Sequence, residues 1–175
     1  MPIFLSGPRN IGKSTVIRRT LAILLAQEPL RLGGFFTWRV GADDPHIYLR
    51  PAEIWREQEI YRLASYNAKN GGLNCDVAVF EQTGVQLLAQ SAGADLLILD
   101  ELGFLENKAP AFRQAVVTAL CGATPVLGVM REGNIAWLRE IKNDLQVTIY
   151  EVNEQNRNDL PPKLAAEVRA LIKCR

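Results

Sequence analysis

The 175-residue sequence predicts one α/β domain: a mainly parallel sheet flanked by helices, with a small antiparallel meander after the first helix. Three observations lead there. Short, nearly continuous apolar runs such as Leu96-Leu97-Ile98-Leu99 suit strands buried on both faces. These runs alternate with stretches whose apolar residues recur at helical spacing. Between the first helix and residue 80 the pattern changes, and clusters of Gly, Asp and Pro separate short strand-like segments.

The elements follow in order. Ile3 to Ser6 reads as an apolar strand running into a glycine-bounded loop. A helix is predicted from about Lys13 to Gln27, with Val16, Ile17, Leu21, Leu24 and Leu25 on one side and Pro29 marking its end. Gly33 to Val40 is rich in strand formers, residues 41–45 have turn chemistry, and His46 to Arg50 reads as a return strand. Glu59 to Tyr66 and Cys75 to Phe80 are expected to complete the meander, although Glu53 to Arg62 also suits a helix. Beyond it, residues 82–92 look helical and Asp95 to Leu99 forms a strand ending at Asp100-Glu101. A helix then carries Phe112, Ala115, Val116, Ala119 and Leu120 on one face. Thr124 to Met130 (strand), Asn134 to Lys142 (helix) and Gln146 to Val152 (strand) follow. Leu164, Val168, Leu171 and Ile172 line the last helix. A chain of this length can bury one sizeable core, and no repeat or linker divides residues 1–175.

Composition narrows the function classes. Twenty Lys and Arg against nineteen Asp and Glu leave a formal charge of +1, far from the basic excess of a dedicated nucleic-acid binder. No stretch approaches the ~20 apolar residues of a membrane span. Cys75, Cys121 and Cys174 have no metal-ligand spacing, and the lone His46 adds none. Reduced thiols and the lack of a signal-peptide pattern point to the cytoplasm.

Gly7-Pro8-Arg9-Asn10-Ile11-Gly12-Lys13-Ser14 matches the phosphate-binding pattern G-x-x-x-x-G-K-[ST] at every fixed position. The glycines let the backbone wrap so that successive N–H groups face phosphate oxygens. Lys13 is expected to reach the β- and γ-phosphates and Ser14 to join an Mg²⁺ shell, while the helix start adds its positive end. The partner is therefore a nucleoside triphosphate such as ATP or GTP. The run Leu96 to Leu99 delivers Asp100 and Glu101 to the C-terminal end of a strand, where ligands of open α/β sheets bind. Asp100 is the second candidate for Mg²⁺. Glu101 is the candidate that orients and polarises the attacking water. Arg131, after the next strand, belongs to the same sheet edge. Arg9 is expected to point outward, and Trp38, Trp55 and Trp137 to serve packing.

These segments resemble those of the small thermophile-type nucleoside-triphosphatases, the family that includes the human cancer-related nucleoside-triphosphatase. The resemblance rests on the loop at 7–15, Gly33-Gly34-Phe35-Phe36-Thr37, Asp100-Glu101-Leu102-Gly103 with Glu106, and Asn156-Arg157-Asn158. It implies a RecA-like P-loop fold and Mg²⁺-dependent hydrolysis with broad base tolerance. It assigns phosphate binding to Gly12, Lys13, Ser14 and Thr15, metal association to Asp100, and water activation to Glu101. It also places Asn156 and Arg157 near the base or ribose. The chain departs from the family pattern at Asn10, where glycine is usual, and at Phe104, where lysine is usual. Arg39 and Gly41 also stand where an acidic residue and an arginine are usual. Two other readings remain open on sequence: a nucleotide-dependent switch or adaptor that hydrolyses poorly, and a small-molecule or nucleotide kinase. The kinase reading requires an acceptor pocket, and no lid insertion is evident.

Overall fold

In the computed structural model, which describes residues 1–39, 44–53, 59–66 and 72–174, eight strands form a single sheet in the order β5-β4-β3-β2-β6-β7-β1-β8. The strands are β1 (Ile3–Ser6), β2 (Leu32–Trp38), β3 (His46–Pro51), β4 (Tyr61–Tyr66), β5 (Leu73–Cys75), β6 (Leu96–Leu102), β7 (Val126–Met130) and β8 (Thr148–Glu151). The pairs β2–β6, β6–β7, β7–β1 and β1–β8 are parallel. The expected meander is β3-β4-β5, paired antiparallel and joined through β2 to the parallel part. It extends the main sheet.

Two layers of helices cover that sheet, as the unbroken apolar strands require. On one face lie α1 (Lys13–Leu25) and α5 (Leu160–Lys173). Their Val16, Ile17, Leu21, Leu164 and Val168 bury against Ile3, Leu5, Ile98 and Leu127. On the other face, α2 (Val85–Gln90), α3 (Pro110–Leu120) and α4 (Ala136–Asp144) cover Phe4, Phe35, Leu97 and Leu99. Phe112 of α3 is the hub of this second core, with ring centroids 4.9 Å from Phe80 and 5.6 Å from Phe35. Gly128 faces the same core: a Cβ there would lie 2.6 Å from the Phe4 ring and 2.7 Å from the Leu99 carbonyl oxygen. Among the described residues, no helix is long and apolar enough to cross a membrane.

The segment Cys75 to Phe80 departs from expectation. It is not a strand: β5 stops at Cys75, and a π-helical stretch, Val79–Gly84, leads into α2. Asp76 makes the difference. Its carboxylate accepts the Ala78 N–H at 3.1 Å and its carbonyl accepts the Val79 N–H at 3.2 Å, so it caps a helix. Val77 and Val79 alternate as a strand would, but Phe80 must reach Phe112, and the helix takes it there. Half of the ambiguous segment, residues 54–58 with Trp55 among them, lies outside the described residues, as does Gly41.

Candidate active site

The loop between β1 and α1 owes its shape to three residues with positive φ: Gly7 (142°), Asn10 (65°) and Gly12 (108°). Asn10 fills the position where the family usually has glycine, and asparagine tolerates this left-handed conformation better than most residues. A Cβ on Gly7 would meet the Val152 carbonyl oxygen at 2.5 Å, because the chain after β8 runs against the loop. A Cβ on Gly12 would point into open space, the approach a phosphate needs. Lys13 spans the loop from end to start, its Nζ donating to the carbonyls of Gly7 at 2.7 Å and Pro8 at 2.9 Å. Arg9 is exposed, as expected. Ile11 and Thr15 flank the loop's helical exit, and Pro8 accepts the Ile11 N–H at 3.3 Å.

Strand parity explains how Asp100 arrives. Along β6, Leu96 and Ile98 face the α1 core while Leu97 and Leu99 face the α3 core. Asp100 continues the even series and reaches the first turn of α1, where the Ser14 hydroxyl donates to its Oδ1 at 3.1 Å. The register with β7 then shifts between Leu99 and Leu102. The extra residue flips parity, so Leu102 returns to the α3 core and Glu101 is released at the sheet edge.

Asp100 is 1% exposed. Burial pushes its carboxyl up to about 7, opposed by the Ser14 hydroxyl and reinforced by Glu101. Its Oδ2 is buried without a protein partner. An unpartnered buried carboxylate oxygen beside a serine hydroxyl fits a hard cation or a water bound to one. Among the described residues there is no cluster of three or more His, Cys, Asp or Glu able to hold a metal. A cation here would complete its shell with phosphate oxygens and water, as Mg²⁺ does in triphosphate sites.

Glu101 Oε1 stands 3.5 Å from Arg131 Nη1, and the Arg131 guanidinium carbon lies 4.6 Å from the centroid of Phe104. Arg131 therefore brings a positive charge to the edge where Phe104 replaces the usual lysine. Two further residues brace this turn; sequence reasoning gave Glu106 no role and Trp137 a packing role alone. Glu106 is 1% exposed and accepts the Gly103 N–H at 2.9 Å. Trp137 Nε1 donates to the Gly103 carbonyl at 2.9 Å. Trp137 is thus core packing, as expected, with one added task. The available signal for Glu106 was its place in the segment that carries the family resemblance, Asp100-Glu101-Leu102-Gly103 with Glu106.

Asn156 and Arg157 lie in the loop after β8. The Asn156 side chain accepts the Asn153 N–H at 2.9 Å and donates to the Glu151 carbonyl at 2.8 Å, closing its own loop. Arg157 Nη1 reaches the Ile11 carbonyl at 3.4 Å, alongside the phosphate loop. His46 pairs with Ser65 at 3.0 Å, and Cys75, Cys121 and Cys174 are free thiols.

The loop, Lys13, Asp100 and Glu101 line one cleft of about 1140 Å³. A glycine-bounded loop between a buried strand and a helix, facing a carboxylate on a neighbouring parallel strand, defines a P-loop nucleotide-binding protein of the RecA-like α/β type. The family model described as NTPase matches residues 2–165, and the chain belongs to that family of nucleoside-triphosphatases. It is 31% identical to Nucleoside-triphosphatase THEP1 of Thermofilum pendens, covering 96% of this chain and 95% of that protein. It is 26% identical to the Cancer-related nucleoside-triphosphatase homolog of Bos taurus, with 96% of each chain covered. In fold it matches the crystal structure of THEP1 from Aquifex aeolicus, with a TM-score of 0.76 at 19% identity, over 96% of this chain and 99% of that one. The solution structure of a human cancer-related nucleoside triphosphatase gives the same TM-score at 24% identity, over 96% and 97%.

Proposed function

We propose that this protein hydrolyses nucleoside triphosphates, ATP and GTP among them, to the diphosphate and phosphate, with Mg²⁺ as cofactor. The observation that carries the proposal is the Ser14–Asp100 hydrogen bond, with the unpartnered Asp100 Oδ2 beside it. It joins the phosphate loop to the strand that presents Glu101.

The loop backbone from Gly7 to Gly12 would bind the phosphates, and Lys13 would exchange its two carbonyl acceptors for phosphate oxygens, a stronger charge-assisted contact. Ser14 and Asp100 would hold Mg²⁺, which when bound neutralises charge on the β- and γ-phosphates. Glu101 orients a water and accepts its proton as the water oxygen bonds to the γ-phosphorus. The bond from that phosphorus to the bridging oxygen breaks, and its electron pair leaves with the diphosphate. Arg131 sits within reach of the charge that develops at this edge. Base tolerance is supported by Asn156, whose carbonyl and one amide hydrogen are already engaged within its own loop. Arg157, whose Nη1 reaches the Ile11 carbonyl beside the loop, is the side chain that would meet the base or ribose. Free thiols support a reducing, cytoplasmic setting.

The test is phosphate release from the purified protein with each triphosphate in turn, with and without Mg²⁺ and with no acceptor added. Release that needs Mg²⁺ and occurs with several bases is expected. No release with any triphosphate would overturn the proposal.

A further inference from the structure

A second cavity, of about 380 Å³, opens behind Asp100 on the α1 face of the sheet. Strand pairing builds it. Phe36 sits opposite Arg50, and Trp38 opposite Tyr48, so Phe36, Trp38 and Arg50 share one face. Phe36 is covered by the α1 core. Further along the strand the cover ends, and Trp38, Arg39 and Arg50 line the opening with Arg18 of α1.

Three arginines line this small cavity, against the single carboxylate of Asp100. None of them forms an ion pair with a carboxylate of the described residues. Burial and the nearby charge of Arg18 hold the Arg50 guanidinium below its usual range. The Arg50 guanidinium carbon lies 5.9 Å from the centroid of Trp38, which places a flat aromatic surface beside the cations. The volume falls within the range of small-ligand sites. Ser14, Thr37, Trp38, Arg39 and Asp100 line both this cavity and the larger cleft, Arg18, Phe36 and Arg50 line this cavity alone, and Gly7, Gly12 and Lys13 line the larger cleft alone. A ligand phosphate held at the Arg18 and Arg50 end would therefore lie beside the reacting end of a bound triphosphate and clear of Gly7, Gly12 and Lys13. Two phosphate groups brought together there repel, and unpaired arginines offset that repulsion.

We propose that this cavity is a second substrate site, which takes a ring-bearing phosphomonoester of the nucleoside monophosphate class as an alternative acceptor of the γ-phosphoryl group. The proposal rests on the triphosphate site described above. Trp38 stacks the ring, and Arg18 and Arg50 grip the phosphate. An anionic oxygen of the acceptor phosphate bonds to the γ-phosphorus, and the bond from that phosphorus to the bridging oxygen breaks. The electron pair leaves with the donor diphosphate. The acceptor oxygen carries no proton, so none has to be removed, and the products are two nucleoside diphosphates. This is the acceptor pocket that the kinase reading of the sequence requires.

The experiment uses ATP labelled at the γ-position, Mg²⁺ and the full chain, with AMP, CMP, GMP or UMP in turn, and separates labelled diphosphate from labelled inorganic phosphate. At least one monophosphate should yield labelled diphosphate in the wild type. Arg50→Gln removes a charge-assisted contact, so transfer should fall about tenfold or more. Phosphate release without acceptor should stay within about twofold, because Arg50 does not line the triphosphate cleft; that result also shows that the variant is folded. Absence of labelled diphosphate with all four monophosphates overturns the acceptor role, as does equal transfer by Arg50→Gln. Inorganic phosphate or adenosine competing as well as the monophosphate overturns the ligand class. Intact transfer with no phosphate release would remove the hydrolase reading and leave this one standing.

Discussion

The Ser14 hydroxyl donates to Asp100 across 86 residues of sequence at 3.1 Å, linking the first turn of α1 to the end of β6. Both residues would act on the same ion. Ser14→Ala and Asp100→Asn should therefore each lower turnover, and raised Mg²⁺ should partly restore it. The double variant should lose less than the sum of the two losses, since residues sharing a partner couple by about 0.5–3 kcal/mol. Phosphate-release rates of the four proteins across a magnesium titration check this. Strict additivity with no magnesium dependence would separate their roles.

Glu106 carries a prediction about stability. Burial holds its carboxyl up at about 7, against the pull of the Glu106 and Gly103 N–H groups, while in the unfolded chain it returns to about 4.5. Between these values the folded state binds more protons than the unfolded one, so stability falls as pH rises through that window. Glu106→Gln keeps an acceptor for the Gly103 N–H and removes the titration. Its stability should be flatter from pH 5 to 8 and should exceed wild type at pH 8, by up to about 3 kcal/mol. Urea unfolding at both pH values measures the difference.

Arg131 yields a third prediction, on turnover. If it supplies the cation at the edge where Phe104 replaces the usual lysine, Arg131→Ala should lower kcat about tenfold or more with little change in KM. Phe104→Ala removes only the ring beneath the guanidinium. A cation–π contact at an exposed site is worth about 0.5–1 kcal/mol, so its loss should cost at most about fivefold. Introducing Phe104→Lys into the Arg131→Ala protein should recover part of the rate. Failure of that rescue would show that Arg131 positions Glu101 rather than supplying charge.

Much of this site was legible because its residues sit at fixed short spacings. Lys13 and Ser14 follow Gly7 and Gly12 in one motif, and the apolar run from Leu96 announces Asp100. Tertiary partners were the illegible part. Val77 and Val79 alternate like strand residues, and only the position of Phe112 makes Phe80 helical. The parity flip after Leu99 depends on register with β7, which no local pattern records. Arg18, Arg39 and Arg50 come from a helix, a loop and a strand, and their convergence follows from how β2 and β3 pair beside α1. Gly41 lies outside the described residues, so of the two departures from the family pattern beside Val40 only Arg39 has a structural account.

Glu101 decides between a hydrolase and a nucleotide switch. Its carboxylate is partly exposed at the sheet edge and faces Arg131, beyond the parity flip that sets it apart from buried Asp100. Glu101→Gln preserves size and hydrogen bonding but removes the basic oxygen that accepts the proton of water. General-base contributions are on the order of 10²–10⁴-fold, or roughly 3–5 kcal/mol of barrier. The triphosphate itself is held in the ground state by the loop, Lys13 and the metal-binding pair, so affinity should survive. Removing a negative charge near the γ-phosphate should tighten binding slightly. The variant should therefore bind triphosphate at least as well as wild type in calorimetry, yet release phosphate at no more than about a hundredth of the rate. Wild-type turnover in Glu101→Gln would reduce Glu101 to a solvated strand-end residue paired with Arg131. The loop and Asp100 would still bind nucleotide, and the chain would then be better described as a switch if turnover is slow in both proteins.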